Sequence, residues 1–135
     1  MASALDTVQQ IYAAFGRGDI PAILERVADD VRWEAWTDHS AQKAGVPWLQ
    51  GGQGKAAVGA FFQAVGAMTM HDFRVLDMLA SDRQVAVEVA LEVTLPNGRR
   101  FADEELQLWT VDDAGRVTRM RHYLDTAKHI AAHRG

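Results

Sequence analysis

Val8, Ile11, Tyr12 and Phe15 recur at intervals of three and four, the spacing of one helical face. Ser3 or Asp6 can cap the start of that helix, and Gly16 and Gly18 mark its end. Asp19 then caps a second, shorter helix, with Pro21 in its first turn and Ile23, Leu24 and Val27 turned inward. The period changes in ADDVRWEAW. Val31, Trp33 and Ala35 alternate there with Arg32, Glu34 and Trp36, which predicts a first strand with Glu34 on the face opposite Trp33. Residues Thr37 to Gly52, with Gly45, Pro47, Gly51 and Gly52, read as a loop long enough to serve as a lid. Helical spacing resumes from Lys55 to Met68 through Val58, Phe61, Phe62 and Val65, and Ala56, Ala57, Gly59 and Ala60 let that helix approach a sheet closely.

The second half reads as strands. His71 to Ala80 is followed by a turn at Ser81-Asp82. From Gln84 to Leu95 the residues Val85, Val87, Val89, Leu91 and Val93 form one stripe, with Ala86, Glu88, Ala90 and Glu92 opposite. Asn97-Gly98 is a hairpin signal because a tight turn needs positive φ. Phe101 to Val111 returns, Asp112 to Gly115 turns, and Val117 to Leu124 is the last strand before a short helix capped by Asp125. The order α-α-β-α-β-β-β-β with a short C-terminal helix predicts one α+β domain over residues 1–135, a curved antiparallel sheet packed on the N-terminal helices.

A chain of 135 residues can bury a core without a staple. It has no cysteine, so disulfides and thiolate chemistry are excluded. A net charge of −4 with no Lys/Arg cluster argues against nucleic acid as partner. No apolar run reaches membrane-spanning length, no signal-peptide core is evident, and the cytoplasm is the expected location.

Three stretches carry a resemblance. IYAAFGRGDIPAILERVADDVRWE resembles the opening of ketosteroid isomerases and SnoaL-like polyketide cyclases. PWLQGGQGKAAVGAFF and WTVDDAGRVTRMRHYLDTAKHIAA are similar to the loop-and-helix and the terminal hairpin-and-helix of the same nuclear transport factor two-like superfamily. The resemblance implies a cone-shaped sheet around an apolar pocket, no cofactor, and a homodimer through the outer sheet face. It also implies departures from ketosteroid isomerase. In register, the isomerase's tyrosine falls on Ile11, its general-base aspartate on Ala35 and its protonated aspartic acid on Gln107. Tyr12, one position along, is turned about 100° round the helix. The positions used by the epoxide-hydrolase branch hold Gln107, Glu105 and His122, and the cyclases' acid/base aspartate aligns with His122. Isomerisation of steroids by the usual triad is therefore not expected.

His122 is the first candidate for acid/base chemistry because imidazole titrates near neutrality. Alternation puts it on one face with Met120 and Leu124. Glu105, Gln107 and Trp109 share a face of the neighbouring strand. If it is the inner face, Glu105 can orient His122, and Gln107 and Trp109 can contact a substrate. If Leu106 and Leu108 are inside instead, all three point to solvent, since one residue of register flips the face. Trp33, Trp48, Phe15 and Phe62 are candidate walls for a flat apolar ligand, with ordinary core packing as the alternative. Asp38 and His39 read as turn residues before a pocket-mouth pair. His129 and His133 have the i, i+4 spacing of metal ligands but no third ligand nearby in sequence, and they read as a solvated face, so no metal is expected. Two functions fit: a cofactor-independent proton-transfer enzyme on a small apolar molecule, or a non-catalytic binding or dimeric accessory domain.

Overall fold

In the computed structural model, residues 3–135 are described. The elements are α1 (Ala4–Gly16), α2 (Ile20–Leu24), β1 (Val27–Trp33), α3 (Ser40–Lys43), a 3₁₀ turn (Pro47–Leu49), β2 (Gly52–Gln53), α4 (Lys55–Gly66), β3 (Thr69–Ala80), β4 (Gln84–Thr94), β5 (Arg100–Val111), β6 (Val117–Tyr123) and α5 (Thr126–Arg134). The α+β class and the expected order hold. The segment expected as a loop carries α3, the 3₁₀ turn and β2, because His39 caps α3 through Nδ1 and Pro47 starts the 3₁₀ turn. No helix among the described residues is long and apolar enough to cross a membrane.

The strands make one curved, unclosed sheet in the order β2-β1-β6-β5-β4-β3. All neighbours are antiparallel except β1 and β6, which run parallel. Val85, Val87 and Val89 of the stripe are buried against α1 and α4 together with Val8, Ile11, Val58 and Trp33. A second apolar cluster joins Val46, Trp48 and Leu49 to Val93, Leu95 and Ala132 of α5.

The β4–β5 hairpin decides which way β5 faces. Leu95 and Arg99 bracket a three-residue loop, closed by Gly98 N–H to Leu95 O (2.9 Å), with Gly98 at φ 87°. An odd loop length pairs Val93 with Phe101, Val89 with Glu105, Val87 with Gln107 and Val85 with Trp109. Residues directly opposite one another share a face, so the valine stripe carries Asp103, Glu105, Gln107 and Trp109 inward with it. Asn97 fastens the same hairpin to α5 by donating to Ala132 O at 2.9 Å and His133 O at 3.2 Å. That tie, with Asp125 as N-cap, sets α5 across the end of the sheet.

Candidate functional site

Between the sheet, α1, α4 and α5 lies a cavity of about 80 Å³. Phe15, Phe62, Trp33, Trp48, Trp109 and Met120, all singled out in the sequence, line it. So do the polar candidates Glu105, Gln107 and His122, together with His129 and Tyr12. Leu124 does not: β6 ends at Tyr123, the alternation lapses there, and Leu124 packs against the second apolar cluster. The walls are otherwise aromatic and aliphatic. Trp33 contacts Phe61 at 5.3 Å and Trp109 at 5.6 Å between ring centres, and Phe15 contacts Phe73 at 5.0 Å.

His122 stands directly opposite Gln107 on the paired strands. Its side chain is 5% exposed, and a carboxylate faces each ring nitrogen. Nδ1 makes a short hydrogen bond with Glu34 Oε1, and Nε2 lies 3.8 Å from Glu105 Oε1. Burial disfavours the imidazolium, but the charge and hydrogen bond of Glu34 and the charge of Glu105 outweigh it, so the His122 pKa is raised. Burial would also raise the Glu105 pKa. The His129 hydrogen bond, the charge of His122 and the Gln107 amide overcome that, and the Glu105 pKa is lowered. Both groups are therefore held in their charged forms.

Glu34 is the residue that strand alternation misses. β1 stops at Trp33, and Glu34 turns the chain in a left-handed conformation at φ 50°. The kink aims its carboxylate inward, where it is 1% exposed behind the His122 ring. The carboxylate that orients the imidazole is thus Glu34 and not Glu105, which instead looks into the cavity. A charged residue after a cleanly alternating strand, just before a polar turn, was the only signal for it.

Two neighbours of the isomerase positions also face inward. Tyr12, expected to turn away from the site, lines the cavity; its hydroxyl donates to Gln107 Oε1 and accepts from Trp109 Nε1 at 3.0 Å. Burial raises its pKa well above the ordinary 10.0. Tyr12 adjoins Ile11 and Glu34 adjoins Ala35, so a tyrosine and a carboxylate are present one residue from where the resemblance looked for them. The difference from the isomerase that remains is chemical: Gln107 carries an amide where an acid is needed, and Glu34 is engaged by His122.

His129, read as part of a solvated face, is 1% exposed. The helix lies with this residue against β5, where Nε2 meets Asp103 Oδ2 at 2.8 Å and lies 3.4 Å from Glu105 Oε2. Nδ1 accepts from Trp48 Nε1 at 2.9 Å. Asp103, Glu105 and His129 place three potential metal-ligating atoms within 4.8 Å of one another. In this structure His129 Nε2 is engaged by Asp103. His39 is taken up in capping α3, and Asp38 sits at its turn with φ 65°.

The SnoaL-like domain family matches residues 8–120. The chain belongs to that family. Solved structures agree with the domain's nuclear transport factor two-like fold. A nuclear transport factor two-like protein of unknown function from Burkholderia pseudomallei is 29% identical over 98% of both chains, with a TM-score of 0.76. A Δ5-3-ketosteroid isomerase from a Mycobacterium species is 26% identical over 93% of this SnoaL-like chain and 96% of its own, with a TM-score of 0.71. A Mycobacterium tuberculosis protein, solved in complex with estradiol-17β-hemisuccinate, is also 26% identical, over 92% and 95%, with a TM-score of 0.71. No curated protein matches the SnoaL-like chain in sequence.

Proposed function

We propose that this SnoaL-like domain binds a small, neutral, mostly apolar ring compound and transfers a proton on it without a cofactor. The observation that carries the reading is His122, buried on the wall of an apolar cavity with a carboxylate at each ring nitrogen. Glu34 fixes the ring. Glu105, an anion open to the cavity, takes a proton from a substrate carbon or hydroxyl. The His122 imidazolium gives its Nε2 proton to the oxygen or carbon where charge develops. The net change is an isomerisation, or an addition or elimination of a neutral group, with protons balanced between the pair. Gln107 and the tryptophan walls orient the ring.

The size of the cavity restricts the ligand. About 80 Å³ is smaller than the ~150 Å³ that accepts benzene in an engineered apolar site. A ring compound enters only as side chains yield, and Met68, Met70 and Met120 are the unbranched, adaptable ones in the lining. The steroid conjugate bound by the mycobacterial relative supports the expectation that cavities of this fold open to larger apolar molecules. A non-catalytic binding domain is the second reading, favoured by the engagement of the Tyr12 hydroxyl with Gln107, which leaves no phenol free to polarise a carbonyl. We further infer pairing of two copies through the outer sheet face, where Trp36, 39% exposed, stacks on Tyr123; sedimentation at a monomer mass speaks against it.

The test is solvent-deuterium incorporation into a panel of neutral cyclic ketones and enols, followed by kinetics on any that exchange. His122→Gln is expected to lower kcat/KM by about 10²–10⁴-fold. An unchanged rate in that variant removes His122 from the reaction, and binding without exchange across the panel favours the second reading.

A further inference from the structure

The Trp48–His129 contact fixes which nitrogen of His129 donates towards Glu105. An indole nitrogen is a donor only, so the 2.9 Å contact from Trp48 Nε1 places a lone pair on His129 Nδ1. The neutral ring then carries its proton on Nε2, where Asp103 Oδ2 accepts it at 2.8 Å and Glu105 Oε2 lies 3.4 Å away. The other tautomer would set two N–H groups against each other at Nδ1 and a lone pair against a carboxylate at Nε2. The imidazolium would keep the first of those clashes. Both ends of the ring therefore select one tautomer, and only the Trp48 end depends on a residue outside β5 and α5.

Trp48 reaches this place from the segment between β1 and α4. Pro47 starts the 3₁₀ turn that carries it, Gln42 donates to Leu49 O at 3.1 Å, and Gln50 donates to Val46 O at 2.9 Å. The segment is thus a braced arm whose Trp48 meets α5.

We propose that Trp48 is a positioning residue: its indole N–H holds His129 as the neutral Nε2–H tautomer and makes it a fixed donor to Asp103 and Glu105. The role matters to chemistry only if Glu105 and His122 are the reacting pair, as proposed above, but its test reads His129 alone. In this scheme withdrawing Trp48 frees His129 Nδ1 and lets the ring change tautomer, which turns a lone pair towards Glu105. The hydrogen bonding of Glu105, which faces His122, then changes without any ligand touching it.

The experiment is a long-range ¹H–¹⁵N spectrum of the histidine rings in the full ¹⁵N-labelled chain near neutral pH, for the wild type and Trp48→Phe. The wild type is expected to show His129 neutral with its proton on Nε2, and a Trp48 indole proton protected from exchange. Trp48→Phe keeps the aromatic packing and loses the donor, so His129 is expected to lose the single Nε2–H tautomer seen in the wild type. A wild-type His129 found as the Nδ1–H tautomer or as imidazolium overturns the proposal, and this reading stands even if the variant does not fold. A folded variant whose His129 stays neutral on Nε2 overturns it as well. If the tautomer result holds while His122→Gln leaves turnover unchanged, the proton-transfer reading fails and the role of Trp48 survives.

Discussion

Replacing Glu34 by Gln keeps the shape of the side chain and removes its charge. The pair it forms with His122 has side chains 1% and 5% exposed, so solvent screening is negligible and the buried-pair regime applies. Removing one partner of such a pair costs about 3–5 kcal/mol. The Gln carbonyl still accepts from Nδ1–H, which retains about 1 kcal/mol, so the expected loss is about 2–4 kcal/mol. Folded domains have roughly 5–15 kcal/mol in hand, and the variant should fold. The loss depends on pH in a definite direction. The folded pKa of His122 is raised above the ordinary 6.5, so its contribution is complete below that value and disappears as pH rises through the folded one. Urea unfolding of both proteins should therefore differ most below the ordinary 6.5 and converge as the pH rises through the raised folded value. An equal difference at both ends of that range would refute the assignment of Glu34 as the charge behind His122.

Tyr12→Phe should cost about 1–3 kcal/mol, because it leaves Gln107 Oε1 and Trp109 Nε1 buried without a partner; chemical denaturation measures it, and a loss near zero would mean those groups re-pair. In the wild type the Tyr12 phenol should stay un-ionised at pH values where an ordinary tyrosine, at 10.0, has lost its proton, as read by ultraviolet titration against the variant. Gly52→Ala sets a new Cβ 2.7 Å from Ala57 Cβ and should destabilise by about 1–3 kcal/mol. Adding Ala57→Gly should restore most of it, and a double variant no better than the single would place the strain elsewhere.

Much of the fold is legible in the sequence because each element carries its own period. The α1 face at Val8, Ile11, Tyr12 and Phe15, the β4 valine stripe and the caps at Asp19 and Asp125 are local signals, and the structure contains them all. The direction of β5 is legible only in part. A two-residue Asn97-Gly98 turn would have turned Leu106 and Leu108 inward, whereas the three-residue loop turns Glu105 and Gln107 inward, so one residue of loop length sets the polarity of the cavity. Glu34 and His129 escape local reading for different reasons. Glu34 depends on a single left-handed residue that ends the alternation of β1. His129 lies on a short helix with almost no amphipathic pattern, and its burial follows from where Asn97 and Asp103, far away in the chain, hold that helix. Tyr12 shows the same weakness in a comparison by register, where an error of one position exchanges a core isoleucine for a cavity tyrosine.

We propose that the charged His122 ring, set between Glu34 and Glu105, is where a neutral ring compound meets this protein. The measurement that tests it most directly is a titration of the wild type with a fluorinated phenol, followed by ¹⁹F signals of the probe and the ring signals of His122. One saturable site per chain is expected, with movement of the His122 Nε2 proton signal with occupancy and loss of that movement in Glu105→Gln. Saturable binding that leaves His122 unmoved, or no binding in the wild type at concentrations where the probe remains soluble, would contradict it.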